Sequence, residues 1–378
     1  MAEMTTANDL HQMMASDEVH AVIDVRPTAD FRAGQIFAST SVPLPELAER
    51  LPALIPLPSV LTVAIAEDAK SSARAATQLE QLGLTRVRWL EGGFTGWVNA
   101  GRPTIAGWGV PGKDFGERLL IREAIPEIEA DELAGRLKRG EPIIVLDSRT
   151  PGEFATSCIP GARSVPGGEL PLAITDILAE ESTGELSVVV NCAGRTRSIV
   201  GAFQLQRLGI PNVAALRNGT MGFTLAGHDL LMNADPGSPP TYSARAVARA
   251  ERIADEIATR DGVRVLSIQE LEQLRARADR EPLYVVDVRM PHEFIAGHIP
   301  GALTCPGGQI PFSDDQIAIH GATVVTVCDG RARAIFAASL WRLMGFPRVA
   351  ALNGGVTAWS AAGAGGSTPC IPCSVPSR

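Results

Sequence analysis

Apolar positions in this 378-residue chain fall into short β-branched runs and longer stripes at helical spacing, and the two alternate. The middle of the chain shows the unit best. Val188-Val189-Val190 has the composition of a buried strand, Ser198 to Leu208 carries apolar residues at helical spacing, and Val213 to Leu216 reads as the next strand. Strands alternating with helices of this length predict an α/β fold, a parallel sheet with helices on both faces. Ligands then gather at the carboxyl ends of the strands.

The unit occurs three times. An apolar-Asp-x-Arg pattern followed by an amphipathic stretch starts at Ile23 (IDVRPTADFRAGQI), Leu146 (LDSRTPGEFATSCIPGA) and Val286 (VDVRMPHEFIAGHIPGA). A Gly-rich pattern closes each copy: LEGGFTGW from Leu90, LRNGTMGF from Leu216 and LNGGVTAW from Leu352. Three tandem modules are predicted, over 1–107, 120–230 and 243–366, with a flexible tail at 367–378. The joins differ in composition. Gly101 to Gly116 is rich in Gly and Pro, Asn233 to Tyr242 is a Pro-rich break, and Ser243 to Arg260 alternates Arg and Glu with Ala, as an exposed connecting helix would.

Composition narrows the class. Apolar residues at 45% and charged residues at 20% suit globular folding and argue against disorder or fibrous structure. The net charge of −8 disfavours nucleic acid or an anionic membrane surface as partner, so an anionic ligand must be captured locally. The longest uncharged apolar stretch, Leu51 to Ala66, contains Pro52, Pro56 and Pro58 and is too short to cross a bilayer. With no signal peptide legible at the N-terminus, the expectation is a cytoplasmic protein with reduced thiols.

The six cysteines single out one loop. Counting back 17 residues from the glycine that ends each central helix (Gly83, Gly209, Gly345) gives Ala66, Cys192 and Cys328, each just after an apolar strand. The loops read Ala66-Glu-Asp-Ala-Lys-Ser71, Cys192-Ala-Gly-Arg-Thr-Arg197 and Cys328-Asp-Gly-Arg-Ala-Arg333, with formal side-chain charges of −1, +2 and +1 apart from the thiols. A thiolate is the nucleophile, and nearby Arg together with helix N-terminal amides stabilises it. Cys192 therefore has the best environment and Cys328, beside Asp329, is a second candidate. Gly194 lets the backbone curl around an anion, Arg195 and Arg197 offer forked donors, and Thr196 and Ser198 complete the expected substrate loop. Arg331 and Arg333 are the counterparts in the third copy.

The three units resemble rhodanese domains. The Asp-x-Arg, Glu-Phe and His-Ile-Pro-Gly-Ala entry pattern, the Cys-headed loop and the Leu-x-Gly-Gly-x-x-x-Trp exit are all legible in the third copy. The resemblance implies a thiosulfate-type sulfurtransferase. Cys192 would take a sulfane sulfur as a persulfide and pass it to cyanide or to a thiol, including a protein thiol, with no cofactor. The first module, with Ala66 in place of Cys, would be catalytically silent. Two other functions compete: a non-enzymatic or redox-sensing repeat scaffold, and a phosphatase or arsenate reductase. The last is disfavoured because its loop has Cys, five residues and Arg, whereas Ser198 and Ala334 stand there.

The remaining polar motifs read as structural. Asp147, Arg149 and Glu153, like Asp287, Arg289 and Glu293, recur in part as Asp24 and Arg26 in the Cys-less copy, which favours an ion pair fixing the strand-to-helix turn. Cys158 and Cys305 lack adjacent Arg pairs and read as packing thiols. Cys370-Ile-Pro-Cys373 lacks the strand and helix of a thioredoxin site and the four ligands of a zinc site. His292 and His298 belong to the entry pattern, and no metal site is expected.

Overall fold

The computed structural model describes residues 2–181 and 186–363. The expected tail at 367–378, with Cys370 and Cys373, lies outside the described residues.

The chain is α/β, and each module is built around a sheet whose central strands run parallel. At the centre of each, an entry strand lies beside a loop strand: His20–Asp24 with Leu61–Ile65, Ile143–Asp147 with Ser187–Asn191, and Leu283–Asp287 with Thr323–Val327. Closing strands Val87–Leu90, Val213–Leu216 and Val349–Leu352 pair with the far side of each loop strand. The middle module's strand follows the sequence reading closely, and its central helix, Thr196–Arg207, starts two residues before the expected Ser198.

Both faces of these strands are covered, which is why they read as continuous apolar runs. In the entry strand of the first module, Val22 faces one core with Leu10 and Trp97, while Ala21 and Ile23 face another with Leu51 and Leu79. The outer cores stay separate for each module, but the inner ones merge. A single continuous core joins Leu54, Leu119, Phe203, Ile253 and Trp341 from all three modules and from both connecting helices. Strand Ile319–His320 of the third module also pairs antiparallel with the entry strand of the first, Ile319 opposite Ala21 and His320 opposite His20.

The joins are more ordered than their composition suggests. A helix, Val110–Arg122, runs through the Gly-rich stretch and crosses residue 120, the expected start of the second module. Its glycines allow close approach: a Cβ on Gly112 would sit 1.9 Å from the Pro311 carbonyl oxygen, and one on Gly116 3.1 Å from Thr196 Cγ2. The helix expected as exposed over Ser243 to Arg260 forms as Ala244–Asp261, capped by Ser243. It is not exposed all round. Ala246, Ala250, Ile253, Ala254, Ile257 and Ala258 are buried, and they pack one face against helices Leu170–Glu180 and Ala332–Leu343.

Candidate active site

Cys192 follows the loop strand Ser187–Asn191 directly, at the carboxyl end of the parallel sheet, and the helix Thr196–Arg207 begins four residues later. Its side chain is buried, and its Sγ donates to Ser198 Oγ at 3.6 Å, which in turn donates to the Arg195 carbonyl at 2.7 Å. The outer side of the loop is tied to the closing helix Gly219–Leu225. Thr220 N–H donates to the Cys192 carbonyl at 2.8 Å and Met221 N–H to the Ala193 carbonyl at 3.1 Å. Gly219 is essential to this seam: its φ is +55° and a Cβ there would lie 2.1 Å from the Cys192 carbonyl oxygen. On the helix side, the first-turn amides of Thr196, Arg197 and Ser198 have no intrahelical partner, which makes that end a site for negative charge.

The two loop arginines part company. Arg197 is buried and forms a two-pronged pair with Glu153, at 2.7 and 2.8 Å; burial opposes its charge, but Glu153 outweighs that and holds the guanidinium above its ordinary value. Burial alone would raise the Glu153 carboxyl, but Arg197 and the Thr150 cap hold it down to about 2. Glu153 therefore belongs to the Cys192 loop, whereas the sequence grouped it with Asp147 and Arg149. Arg195 turns outward, to Glu117 on the connecting helix and to Glu127, whose Oε1 is 2.6 Å from Nη1. Its fork, expected for a substrate, is occupied by two carboxylates that lie far away in sequence.

Asp147 and Arg149 themselves form a buried bidentate pair, repeated as Asp24–Arg26 and Asp287–Arg289. In every copy the Arg Nη2 also donates to a carbonyl eight residues on: Gly34, Ser157 or Gly297. The same geometry in the module without a thiol is what a turn-fixing pair requires. Cys158 is buried and its thiol is pushed up, by burial first and then by Asp147.

In the first module the cradle is filled by the chain itself. Asp68, at the position of Gly194, caps helix Ala69–Gln81 by accepting from Ser71 N–H at 2.8 Å. In the third module Cys328 heads the same loop, with the amides of Gly330 and Ala334 facing its sulfur. Burial, and then Asp329, push this thiol up to about 12. Arg333 carries three carboxylates: Glu293 at 2.7 Å, Asp329 at 2.8 Å and Glu169 of the second module at 3.0 Å. Arg331, like Arg195, is taken by its connecting helix, through Glu251 and Asp255.

A thiol at the strand end, its backbone sewn to a Gly-led closing helix, occurs in two of three modules, and the family model for the rhodanese-like domain matches residues 6–100, 129–226 and 268–362. The chain belongs to the rhodanese-like family. A sulfurtransferase from Allochromatium vinosum is 37% identical over 103 residues, 27% of this chain and 92% of that protein. The crystal structure of a thiosulfate sulfurtransferase from Pseudomonas aeruginosa is 35% identical, with a TM-score of 0.87 over 93% of this chain. This rhodanese-like chain spans 66% of the length of that structure. Among its described residues, no helix is long and apolar enough to cross a membrane.

Proposed function

We propose that the second module is a sulfurtransferase centre with Cys192 as sulfur carrier and thiosulfate, or a donor of the same chemistry, as substrate. The Cys192 thiolate attacks the outer sulfur of thiosulfate, the S–S bond of the donor breaks, and sulfite departs with the bonding electron pair. A persulfide remains on Cys192. Cyanide or a thiolate then attacks the terminal sulfur, and the Cys192 thiolate leaves as it was.

The loop's residues have separate tasks in this reading. The loop and first-turn amides hold the charge of the thiolate and then of the persulfide. Arg197, held in place by Glu153, supplies the positive charge beside the sulfur. Ser198 hydrogen-bonds the sulfur, and Arg195 anchors the loop to the connecting helix. The observation that carries the proposal is the contrast among the loops: only in the second is a Cys combined with an Arg that a single carboxylate balances.

Steady-state thiocyanate formation from thiosulfate and cyanide tests it on the wild type, Cys192→Ala and Cys328→Ala. Cys192→Ala abolishes turnover and Cys328→Ala leaves it near the wild-type rate. Turnover that survives Cys192→Ala would sink the assignment.

A further inference from the structure

The second and third modules meet through equivalent turns, Pro166-Gly-Gly-Glu169 and Pro306-Gly-Gly-Gln309, which line a shared cleft of about 300 Å³. The turns run against each other: a Cβ on Gly168 would lie 2.9 Å from Gly307 Cα, and one on Gly308 3.1 Å from Gly167 Cα. No side chain fits there. This approach carries the residue after the second glycine across to the neighbouring module, and Glu169 reaches Arg333 with both oxygens, at 3.0 and 3.1 Å. Tyr242 donates a further hydrogen bond to Glu169. The corresponding residue on the other turn is Gln309, which has no charge.

Most other contacts of the two loops match, although Ala334 stands where Ser198 meets the Cys192 sulfur. Arg197 meets Glu153 and Arg333 meets Glu293 with the same pair of distances, 2.7 and 2.8 Å. Gly355 sits against the Cys328 carbonyl as Gly219 does against that of Cys192, with a Cβ that would lie 2.0 Å away. Val356 N–H closes the seam at 2.7 Å. The exposures of Cys192 and Cys328, 2% and 1%, do not separate them. The charge difference lies in two carboxylates, Asp329 in place of Ala193 and Glu169 in place of the uncharged Gln309, beside the loss of the Ser198 hydroxyl to Ala334. Around the loop arginine the formal sum is zero in the second module, with one carboxylate, and −2 in the third, with three.

We propose that the third module is a complete second sulfur-transfer centre kept silent by Asp329 and by Glu169 from its neighbour. The inference rests on the reading of Cys192 as sulfur carrier. Asp329 opposes the Cys328 thiolate directly, and Glu169 acts through Arg333, offsetting the positive charge that favours that thiolate and would attract a dianionic donor. Glu169 thus acts between modules as a positioning and silencing residue. Once the carboxylates are neutralised, Cys328 follows the chemistry of Cys192: its thiolate bonds to the outer sulfur of thiosulfate, the donor S–S bond breaks, and sulfite leaves with the electron pair.

The test uses the full chain with Cys192→Ala, alone and combined with Glu169→Gln and Asp329→Ala. Each form is incubated with thiosulfate, desalted and weighed by mass spectrometry. The combined variant gains one sulfur, which an added Cys328→Ala removes, and the thiolate absorbance due to Cys328 titrates at least about one pH unit lower, ~10-fold more thiolate at fixed pH. A folded variant with no gained sulfur and an unmoved titration overturns the proposal. Gln309→Glu in the wild-type chain is the converse arm: sulfur loading of Cys192 slows about 10-fold, and an unchanged rate counts against the proposal. If the wild type itself takes no sulfur from thiosulfate, the reading of Cys192 with that donor fails, and the Cys328 titration still decides the silencing by Glu169 and Asp329.

Discussion

Arg197 and Glu153 meet in a two-pronged ion pair at the side of the Cys192 loop, with Glu153 also closing the capping box of helix Pro151–Thr156. One carboxylate thus fixes both the loop arginine and the start of the entry helix.

The pair has a pH signature. The Glu153 carboxyl sits at about 2 in the folded chain against an ordinary 4.5, so its contribution is fully present above pH 4.5 and is lost as pH falls toward 2. Glu153→Gln should lower stability by about 1–3 kcal/mol near neutral pH, and the gap from wild type should close through that acid window. Thermal melts of both forms at a series of pH values measure it.

The turn-fixing pairs separate stability from chemistry. In the first module Asp24 is fully buried against Arg26, so Asp24→Asn strands a buried guanidinium and should cost about 3–5 kcal/mol. Turnover per folded molecule should not change, since that module has no thiol. Chemical denaturation followed by activity on the folded fraction checks both halves.

Gly219 and Gly355 give a matched comparison. Both have positive φ and both face a Cys carbonyl at a distance no Cβ tolerates. Alanine at either should cost ~1–3 kcal/mol in strain. Only Gly219→Ala should also cut turnover, because only that seam holds Cys192; equal losses from the two variants would argue against a single working loop.

A fourth expectation concerns the contact between the first and third modules. His20 and His320 stack with ring centroids 4.8 Å apart, and His20 Nε2 is buried without a hydrogen-bond partner. Burial lowers both rings below the ordinary 6.5, so the folded chain prefers them neutral, although the Glu18 side acts in the opposite sense on His20. Stability should therefore fall as pH drops below 6.5, and His320→Gln should flatten that fall. Melting temperatures between pH 8 and pH 5 read the difference.

Much of this architecture is legible in the sequence, for a physical reason. Val188 to Val190 and their counterparts are buried on both faces, so their apolar runs mark the strands without knowledge of the neighbours. The thiol position follows too, because the loop sits at a fixed distance from a helix-ending glycine. Long-range partners are what local reading misses. The loop charges of +2 and +1 rank Cys192 above Cys328, yet say nothing of Glu117, Glu127 or Glu169, which the fold brings in from elsewhere. The helix Val110–Arg122 was hidden for a related reason: Gly112 and Gly116 are poor helix formers, but the Pro311 carbonyl leaves no room for a side chain at Gly112 and Thr196 packs tightly on Gly116.

The central claim is that one sulfur atom rides on Cys192. Whole-protein mass spectrometry after incubation with thiosulfate and desalting tests it most directly. The account predicts a single added sulfur on the wild type and on Cys328→Ala, and none on Cys192→Ala. An added sulfur that persists in Cys192→Ala, or its absence from the wild type, would contradict it.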